Sequence, residues 1–159
     1  MSKKFFLIIE QIFVISIFQY IFYNIFNLKI VPSFYLIYLL KLSFSGEREL
    51  AILLSFLLGI INDLFTNQLI GTTSIKFLPI IYFSSFFVVK SILNEGFLIF
   101  IFSFLYFILL NFKKNGLFLW NGFVLLKYGI QFSFYNFLVG IFIGVFIREI
   151  NKRWQEKIF

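Results

Sequence analysis

Six apolar runs, separated by short polar segments, occupy most of this 159-residue sequence. They lie at about residues 5–26, 28–42, 50–65, 70–89, 96–112 and 128–147. Runs of about 20 apolar residues have the length of a transmembrane helix, whereas the shorter second and third runs also fit re-entrant or interfacial segments. Because 61% of the residues are hydrophobic and 13% are charged, with a mean hydropathy of +0.98, we predict an integral membrane protein.

The distribution of basic residues predicts that both ends of the chain lie in the cytoplasm. With six spans and a cytoplasmic N-terminus, the inner side would hold Lys3, Lys4, Lys41, Arg48, Lys90, Arg148, Lys152, Arg153 and Lys157, and the outer side Lys29, Lys113, Lys114 and Lys127. This bias follows the positive-inside rule. The first 26 residues have no small-residue cleavage site and are interpreted as an uncleaved first helix. The predicted fold is a compact all-α bundle of six transmembrane helices in one polytopic domain, residues 1–159.

Composition also excludes several kinds of chemistry. The sequence has no cysteine and no histidine, which removes disulfides, thiolate zinc sites, cysteine nucleophiles and histidine bases. We expect no cofactor, no metal and no enzymatic activity. The net charge of +7 is scattered between apolar runs, so no nucleic-acid partner is expected. The basic tail, residues 148–159, is expected to contact anionic lipid of the inner leaflet.

Asn62 and Asp63 place polar side chains at the end of the third apolar run. An acid at the centre of a membrane helix costs about 2.5–3.5 kcal/mol, so Asp63 is expected to be partnered, hydrated or functional. Lys76 lies early in the fourth run. In an antiparallel hairpin of the third and fourth spans it would lie at a depth similar to that of Asp63. One hypothesis is an ion pair or a shared polar network facing the bundle interior. The alternative is that Asp63 reaches the outer headgroups while Lys76 extends past it to the interface.

The first apolar run carries three further polar candidates, Glu10, Gln11 and Gln19. Polar side chains of this kind hydrogen-bond between membrane helices. Glu10 lies near the inner surface, either within reach of Lys41, Lys90 or Arg148 or solvated at the interface. Gln19 is nearer the middle of the membrane and is predicted to find its partner inside the bundle.

Small residues mark candidate positions of close helix packing. Gly140 and Gly144 form a GxxxG pair in the sixth run, and Ser55 and Gly59 form a looser pair in the third. Such spacing lets two backbones approach closely, and packing within this chain is favoured over packing against a partner's helix. Gly71, between the third and fourth runs, is counted with these packing residues.

Two prolines and one irregular segment complete the predicted layout. Pro32 is expected in the first turn of the second span, where its missing N–H is tolerated. Pro79 lies inside the fourth span and is expected to kink it. The segment 113–127, with two glycines and Trp120, is expected to be an irregular interfacial piece on the outer face.

Several of these positions together resemble the rod shape-determining MreD family. The resemblance rests on Gly59-Ile-Ile-Asn62-Asp63-Leu64-Phe65, then Leu69-Ile70-Gly71, then Tyr82, with Gln19, Val31-Pro32 and Tyr135-Asn136 in matching order. It covers nearly the whole chain, although each piece is degenerate. The family often has an acid directly after the proline, and Ser33 stands there instead, which leaves any role of that position in doubt.

The resemblance implies a non-enzymatic scaffold or regulator of the cell-elongation (rod) complex in the bacterial plasma membrane. The implied partners are an MreC-like protein, a RodA-like synthase and a class B penicillin-binding protein, so that the chain contributes to peptidoglycan synthesis and cell shape. Such a protein acts by docking and by biasing the conformation of a partner.

Two other classes stay open. MreD proteins are similar in layout to the substrate-binding subunits of ECF vitamin transporters, in which segment 113–127 would cover an outer pocket with Asp63, Lys76 and Asn136 as polar contacts. Those subunits commonly dock through alanines of the first helix, whereas the single alanine here is Ala51. A membrane enzyme is the third class, although no second carboxylate lies near Asp63 in the sequence.

Overall fold

The computed structural model describes residues 3–25, 32–66, 68–115 and 122–156, and within them side-chain exposure for residues 9–22, 32–66, 68–111 and 126–145. The described residues form six α-helices and no strand, which confirms the all-α prediction for this part of the chain. The helices are α1 (Lys3–Ile25), α2 (Phe34–Phe44), α3 (Arg48–Phe65), α4 (Thr72–Ser84), α5 (Ile92–Asn115) and α6 (Gly122–Glu156). Within the described residues, α5 and α6 contain 20-residue segments long and apolar enough to cross a membrane.

The start of α2 differs from the prediction for Pro32. The helix begins at Phe34, with Ser33 as its N-cap, so Pro32 lies before the helix instead of in its first turn. The reason is that the Ser33 hydroxyl accepts a hydrogen bond from the Leu36 amide, and a serine that caps in this way fixes the helix start one residue after itself. Residues 28–31 of the predicted span lie outside the described residues.

The fourth span is a shorter helix than predicted. α4 has 13 residues and ends at Ser84, and residues 87–91 continue without helical structure. The hydroxyls of Ser84 and Ser85 donate to the carbonyls of Ile81 and Tyr82, and such local bonds compete with helix propagation. Pro79 lies in the interior of α4, and its expected kink stays a prediction.

The segment 113–127 is helical at both of its ends, contrary to the prediction of an irregular piece. α5 continues to Asn115 and α6 begins at Gly122, and residues 116–121 lie outside the described part of the chain. α6 then runs on to Glu156, which places residues 148–156 of the basic tail in the same helix as the sixth apolar run.

Helix α2 is the centre of the molecule. It packs against all five other helices, and eight of its 11 residues are buried. A helix that is apolar on every side is expected to be enclosed in this way, because each of its faces excludes water or lipid. α3 pairs with α4 and α5 pairs with α6 around it, whereas α1 packs on α2.

The turns at the ends of α2 and before α4 both need glycine. Gly46 follows the C-cap of α2 at φ +90°, and the amides of Gly46 and Glu47 bond back to the carbonyls of Ser43 and Leu42 in a Schellman motif. Gly71 has φ +91°, and a Cβ built there would meet open space. Gly71 is therefore a turn residue and not the helix-packing residue that the sequence suggested, since its role comes from the left-handed backbone.

Candidate functional site

Asp63 caps helix α4 from the end of helix α3. Its side chain is fully buried, and both of its carboxylate oxygens accept the Thr73 amide at 3.1 Å. The Thr73 hydroxyl also donates to Asp63. Thr73 is the second residue of α4. The N-cap residue of α4 is Gly71, which has no side chain with which to cap the helix. Asp63 thus replaces the missing cap, and its negative charge lies at the positive end of the helix.

Asn62 extends this group of hydrogen bonds. Its side-chain amide donates to the Thr73 hydroxyl at 3.2 Å, while its backbone carbonyl accepts the Thr66 hydroxyl at 2.8 Å. Asn62, Thr73 and Asp63 therefore form one continuous chain of donors and acceptors. The sequence analysis missed Thr73, although the run of hydroxyl residues 72–74 after the turn glycine Gly71 is a recognisable sign of a helix start.

Lys76 lies one turn after Thr73 on α4 and is partly buried. The structure places it near the Asp63 end of the α3–α4 pair, as the hairpin geometry required. The described hydrogen bonds to Asp63 come from Thr73, and an ion pair between Asp63 and Lys76 stays a prediction.

The N-terminus of α2 is capped by side chains of three different segments. The Ser33 amide donates to Asn136 of α6 at 2.9 Å, and the Phe34 amide donates to Gln19 of α1 at 2.8 Å. The Ser33 hydroxyl accepts the Leu36 amide. A buried helix start exposes amides that need acceptors, and here two long-range side chains and one local side chain supply them.

These two caps form one group, which we call the capping cluster: Gln19, Ser33, Asn62, Asp63, Thr73 and Asn136. A small cavity of about 30 Å³ lies between the caps and is lined in part by Gln19, Tyr35, Asn62 and Thr66. A volume of this size holds about one or two water molecules. The capping cluster therefore joins α1, α2, α3, α4 and α6 at one end of the bundle.

An ion pair that the sequence did not predict closes the other end of α2. Lys41, in the last turn of α2, donates to Glu95, in the first turn of α5, at 2.6 Å, and both side chains are largely buried. Each charge lies at the helix end that favours it. Lys41 was considered a partner for Glu10, but it pairs with Glu95, and Glu10 is exposed on α1. The sequence did not predict this pair, because Lys41 and Glu95 are 54 positions apart and no local pattern connects them.

Three of the predicted packing glycines lie at close helix contacts within the chain. A Cβ on Gly59 would lie 2.5 Å from the Ser74 Cα, and the Ser74 hydroxyl donates to the Phe56 carbonyl across the same α3–α4 contact. A Cβ on Gly140 would lie 2.7 Å from Ile99 of α5, and one on Gly144 would lie 2.9 Å from the Lys41 ammonium. The absence of a side chain is therefore what permits these contacts.

The capping cluster holds backbone amides, and its geometry suits structural fixation. Among the described residues, no group of three or more acidic, cysteine or histidine side chains is arranged to hold a metal. Comparison of the chain with models of known protein families, with curated proteins and with solved structures finds no match. The structure itself defines the class: an all-α protein whose central helix is capped by side chains of its neighbours.

Proposed function

We propose that this chain is a multi-pass protein of the bacterial plasma membrane, with six spans and both termini in the cytoplasm. Two observations support the membrane placement. Helices α5 and α6 contain apolar segments of spanning length, of which only 28% and 33% is buried in the bundle. Large apolar side chains are exposed on other helices too, for example Phe13 on α1 and Ile75 on α4. Lipid is the environment that accommodates such a surface.

We propose further that the protein is a non-enzymatic scaffold or regulator of the cell-elongation complex. The observation that carries this proposal is the capping cluster. Gln19, the pair Asn62-Asp63 and Asn136 all belong to the resemblance with the MreD family. These three positions lie far apart in sequence, and each contributes to the cap of a helix start. A set of degenerate motif positions that caps two neighbouring helix starts is more informative than any one of them alone.

Ser33 stands where the MreD family often has an acid, and this difference is compatible with the proposal. Ser33 caps α2 with its hydroxyl, and serine and aspartate are about equally favourable N-cap residues. An acid after the proline and the serine found here can therefore perform the same task at the start of α2.

The proposed mechanism is docking. The polar side chains of the capping cluster bond to helix ends, so they support a rigid bundle whose exposed helices offer surfaces to an MreC-like protein, a RodA-like synthase and a class B penicillin-binding protein. Contact with such a bundle biases the orientation of a partner's helix and so its active population.

The transporter alternative gains no support from the described cavities at the capping end. A small-molecule site has roughly 300–1,000 Å³, whereas the cavity beside Gln19 and Asn62 has about 30 Å³. The contacts of Asp63 do not favour the enzyme alternative, because the described bonds to its carboxylate come from the amide and the hydroxyl of Thr73 and make it a helix cap.

Conditional depletion of the protein in its own bacterium, followed by microscopy, tests the proposal. Rounding of rod-shaped cells, with rescue by the wild-type chain, is the expected result. The intact chain, isolated in mild detergent, should carry the MreC-like protein and the synthase pair, and an unrelated six-helix membrane protein expressed to the same level should not. Normal cell shape combined with a nutrient-dependent growth defect would contradict the scaffold role and favour transport.

A further inference from the structure

The small cavity between the two caps lies where helix α1 faces helix α3. Residues of α1, α2 and α3 line it. Within the described part of the chain, the backbone of α1 packs on α2 and not on α3. One contact between α1 and α3 beside the cavity is made by the rings of Tyr20 and Phe65, whose centroids are 6.4 Å apart. Polar groups of α1 and α3 therefore face the same enclosed space without a close backbone contact between the two helices.

The side-chain amide of Gln19 has donors available to this cavity. Its Oε1 accepts the Phe34 amide at 2.8 Å, and this bond fixes the orientation of the side-chain amide, because a backbone N–H only donates. The Nε2 group carries two N–H donors, and the described hydrogen bonds of Gln19 do not use them. Since Gln19 lines the cavity, α1 contributes hydrogen-bond donors to it.

The side-chain amide of Asn62 has an acceptor available to the same cavity. The Thr73 hydroxyl gives its one hydrogen to Asp63, so it can only accept from Asn62, which fixes the Nδ2 group of Asn62 on the side of Thr73. The described hydrogen bonds of the Asn62 side chain do not use its Oδ1. The hydroxyl of Thr66 donates to the Asn62 carbonyl and keeps its lone pairs. Both residues line the cavity, so α3 contributes acceptors to it.

We propose that the cavity is a binding site for one or two water molecules that join the cap of α2 to the cap of α4. A water molecule there accepts from Gln19 and donates to Asn62 and Thr66, which gives it the three or so hydrogen bonds typical of buried water. The volume of about 30 Å³ is sufficient for it. This inference goes beyond the proposed function and depends on neither the membrane placement nor the elongation role.

The mixture of donors and acceptors around the cavity selects water over other small occupants. A cation would be repelled by the N–H groups of Gln19, and an apolar molecule would leave both side-chain amides unsatisfied. The described bonds do not connect Gln19 to Asn62 directly, so the water is what makes the two caps depend on each other. It also holds α1, which packs on α2, to the α3–α4 pair.

Hydroxyl-radical footprinting of the full-length chain in mild detergent tests for this water, because X-rays generate the radicals from water molecules beside a side chain. Tyr35 is the reporter, since it lines the cavity but is only 1% exposed. Tyr106 is the matched control, a tyrosine that is 4% exposed and does not line the cavity. Tyr35 should be oxidised several-fold faster than Tyr106. Equal oxidation of the two tyrosines would overturn the proposal.

Thr66→Leu places a larger apolar side chain against the cavity and removes one acceptor. In this variant the oxidation of Tyr35 should fall to the level of Tyr106, while the helicity of the chain is kept. A folded Thr66→Leu protein in which Tyr35 is oxidised as fast as in the wild type would show that the radicals do not come from water in the cavity.

A double-mutant cycle tests the link between the caps without the reporter. Gln19→Leu and Asn62→Leu each remove a cap bond, and the cycle subtracts these separate losses. Because water connects the two amides, the effect of Gln19→Leu on the unfolding equilibrium constant should be about threefold smaller in the Asn62→Leu background. Gln19→Leu with Ser85→Ala is the control pair, since Ser85 is at the far end of α4, and it should be additive. Additivity of Gln19→Leu with Asn62→Leu would overturn the proposal.

Discussion

Replacement of Asp63 by alanine should destabilise the protein by roughly 2–4 kcal/mol. The substitution removes the acceptor for two donors of Thr73, the amide and the hydroxyl, and Thr73 is itself buried. A buried donor left without a partner costs about 1–3 kcal/mol. The hydroxyl can rotate to another acceptor, but the amide is fixed by the helix, so the two costs do not simply add. Loss of the charge at the helix start adds about 0.3–1 kcal/mol.

Asp63→Asn separates the hydrogen bond from the charge. Asparagine keeps one carbonyl oxygen for the Thr73 amide, so we expect a loss of about 1 kcal/mol, close to the contribution of the helix dipole. Leu64→Ala is the matched control, because Leu64 is the next residue of α3 and is exposed. A surface change of this kind should stay within about 0.5 kcal/mol of the wild type.

The measurement is equilibrium unfolding of the purified chain in mild detergent by titration with SDS, followed by helicity. A double-mutant cycle of Asp63→Ala with Thr73→Val should be clearly less than additive, because both substitutions remove the same hydroxyl–carboxylate bond. If Asp63→Ala unfolds within 0.5 kcal/mol of the wild type, or if the cycle is additive, the capping role assigned to Asp63 is wrong.

Three further substitutions test other contacts by the same unfolding assay. Gly59→Ala should cost about 1–3 kcal/mol, because its Cβ would overlap the backbone of Ser74, and an effect near zero would mean that α3 and α4 separate easily. Lys41→Met should cost about 3 kcal/mol by leaving Glu95 buried without its partner, and the double variant Lys41→Met, Glu95→Leu should recover most of that loss. Gln19→Leu should cost about 1–2 kcal/mol through the unsatisfied first amide of α2, and it should raise hydrogen exchange at that amide relative to the rest of the helix.

The sequence predicted the helices well and the partners of the polar residues poorly. Hydropathy alone located six helices, because polar segments separate the six apolar runs. It also identified Gln19 and Asp63 as unusual, since polar groups inside apolar runs stand out, whereas Asn136 came from the resemblance to the MreD family. Their partners depend on the depth and rotation of each helix. Where polar and apolar residues are spread evenly around a helix, as in α1 and α2, no pattern of alternation fixes its rotation.

Turn and cap chemistry accounts for most of the errors at helix boundaries. The start of α2 was placed too early because the apolar run continues through Pro32, whereas the Ser33 cap decides where the helix begins. The end of α4 was placed too late because the run continues to Val89, whereas the hydroxyls of Ser84 and Ser85 end the helix. Hydropathy does not register either effect, because each depends on one or two serine hydroxyls and not on apolar content.

The short central helix explains why this chain keeps polar residues in its apolar runs. α2 has 11 residues and is about 16 Å long, half of a hydrocarbon layer of about 30 Å. In the membrane placement proposed above, with its Lys41 end near the inner surface, α2 has its N-terminus deep in the membrane, where unsatisfied amides are very unfavourable. Gln19 of α1 and Asn136 of α6 accept hydrogen bonds from the first amides of α2 and so remove that cost. The same bonds prevent α1 and α6 from moving independently of α2, and this rigidity is what a docking scaffold requires.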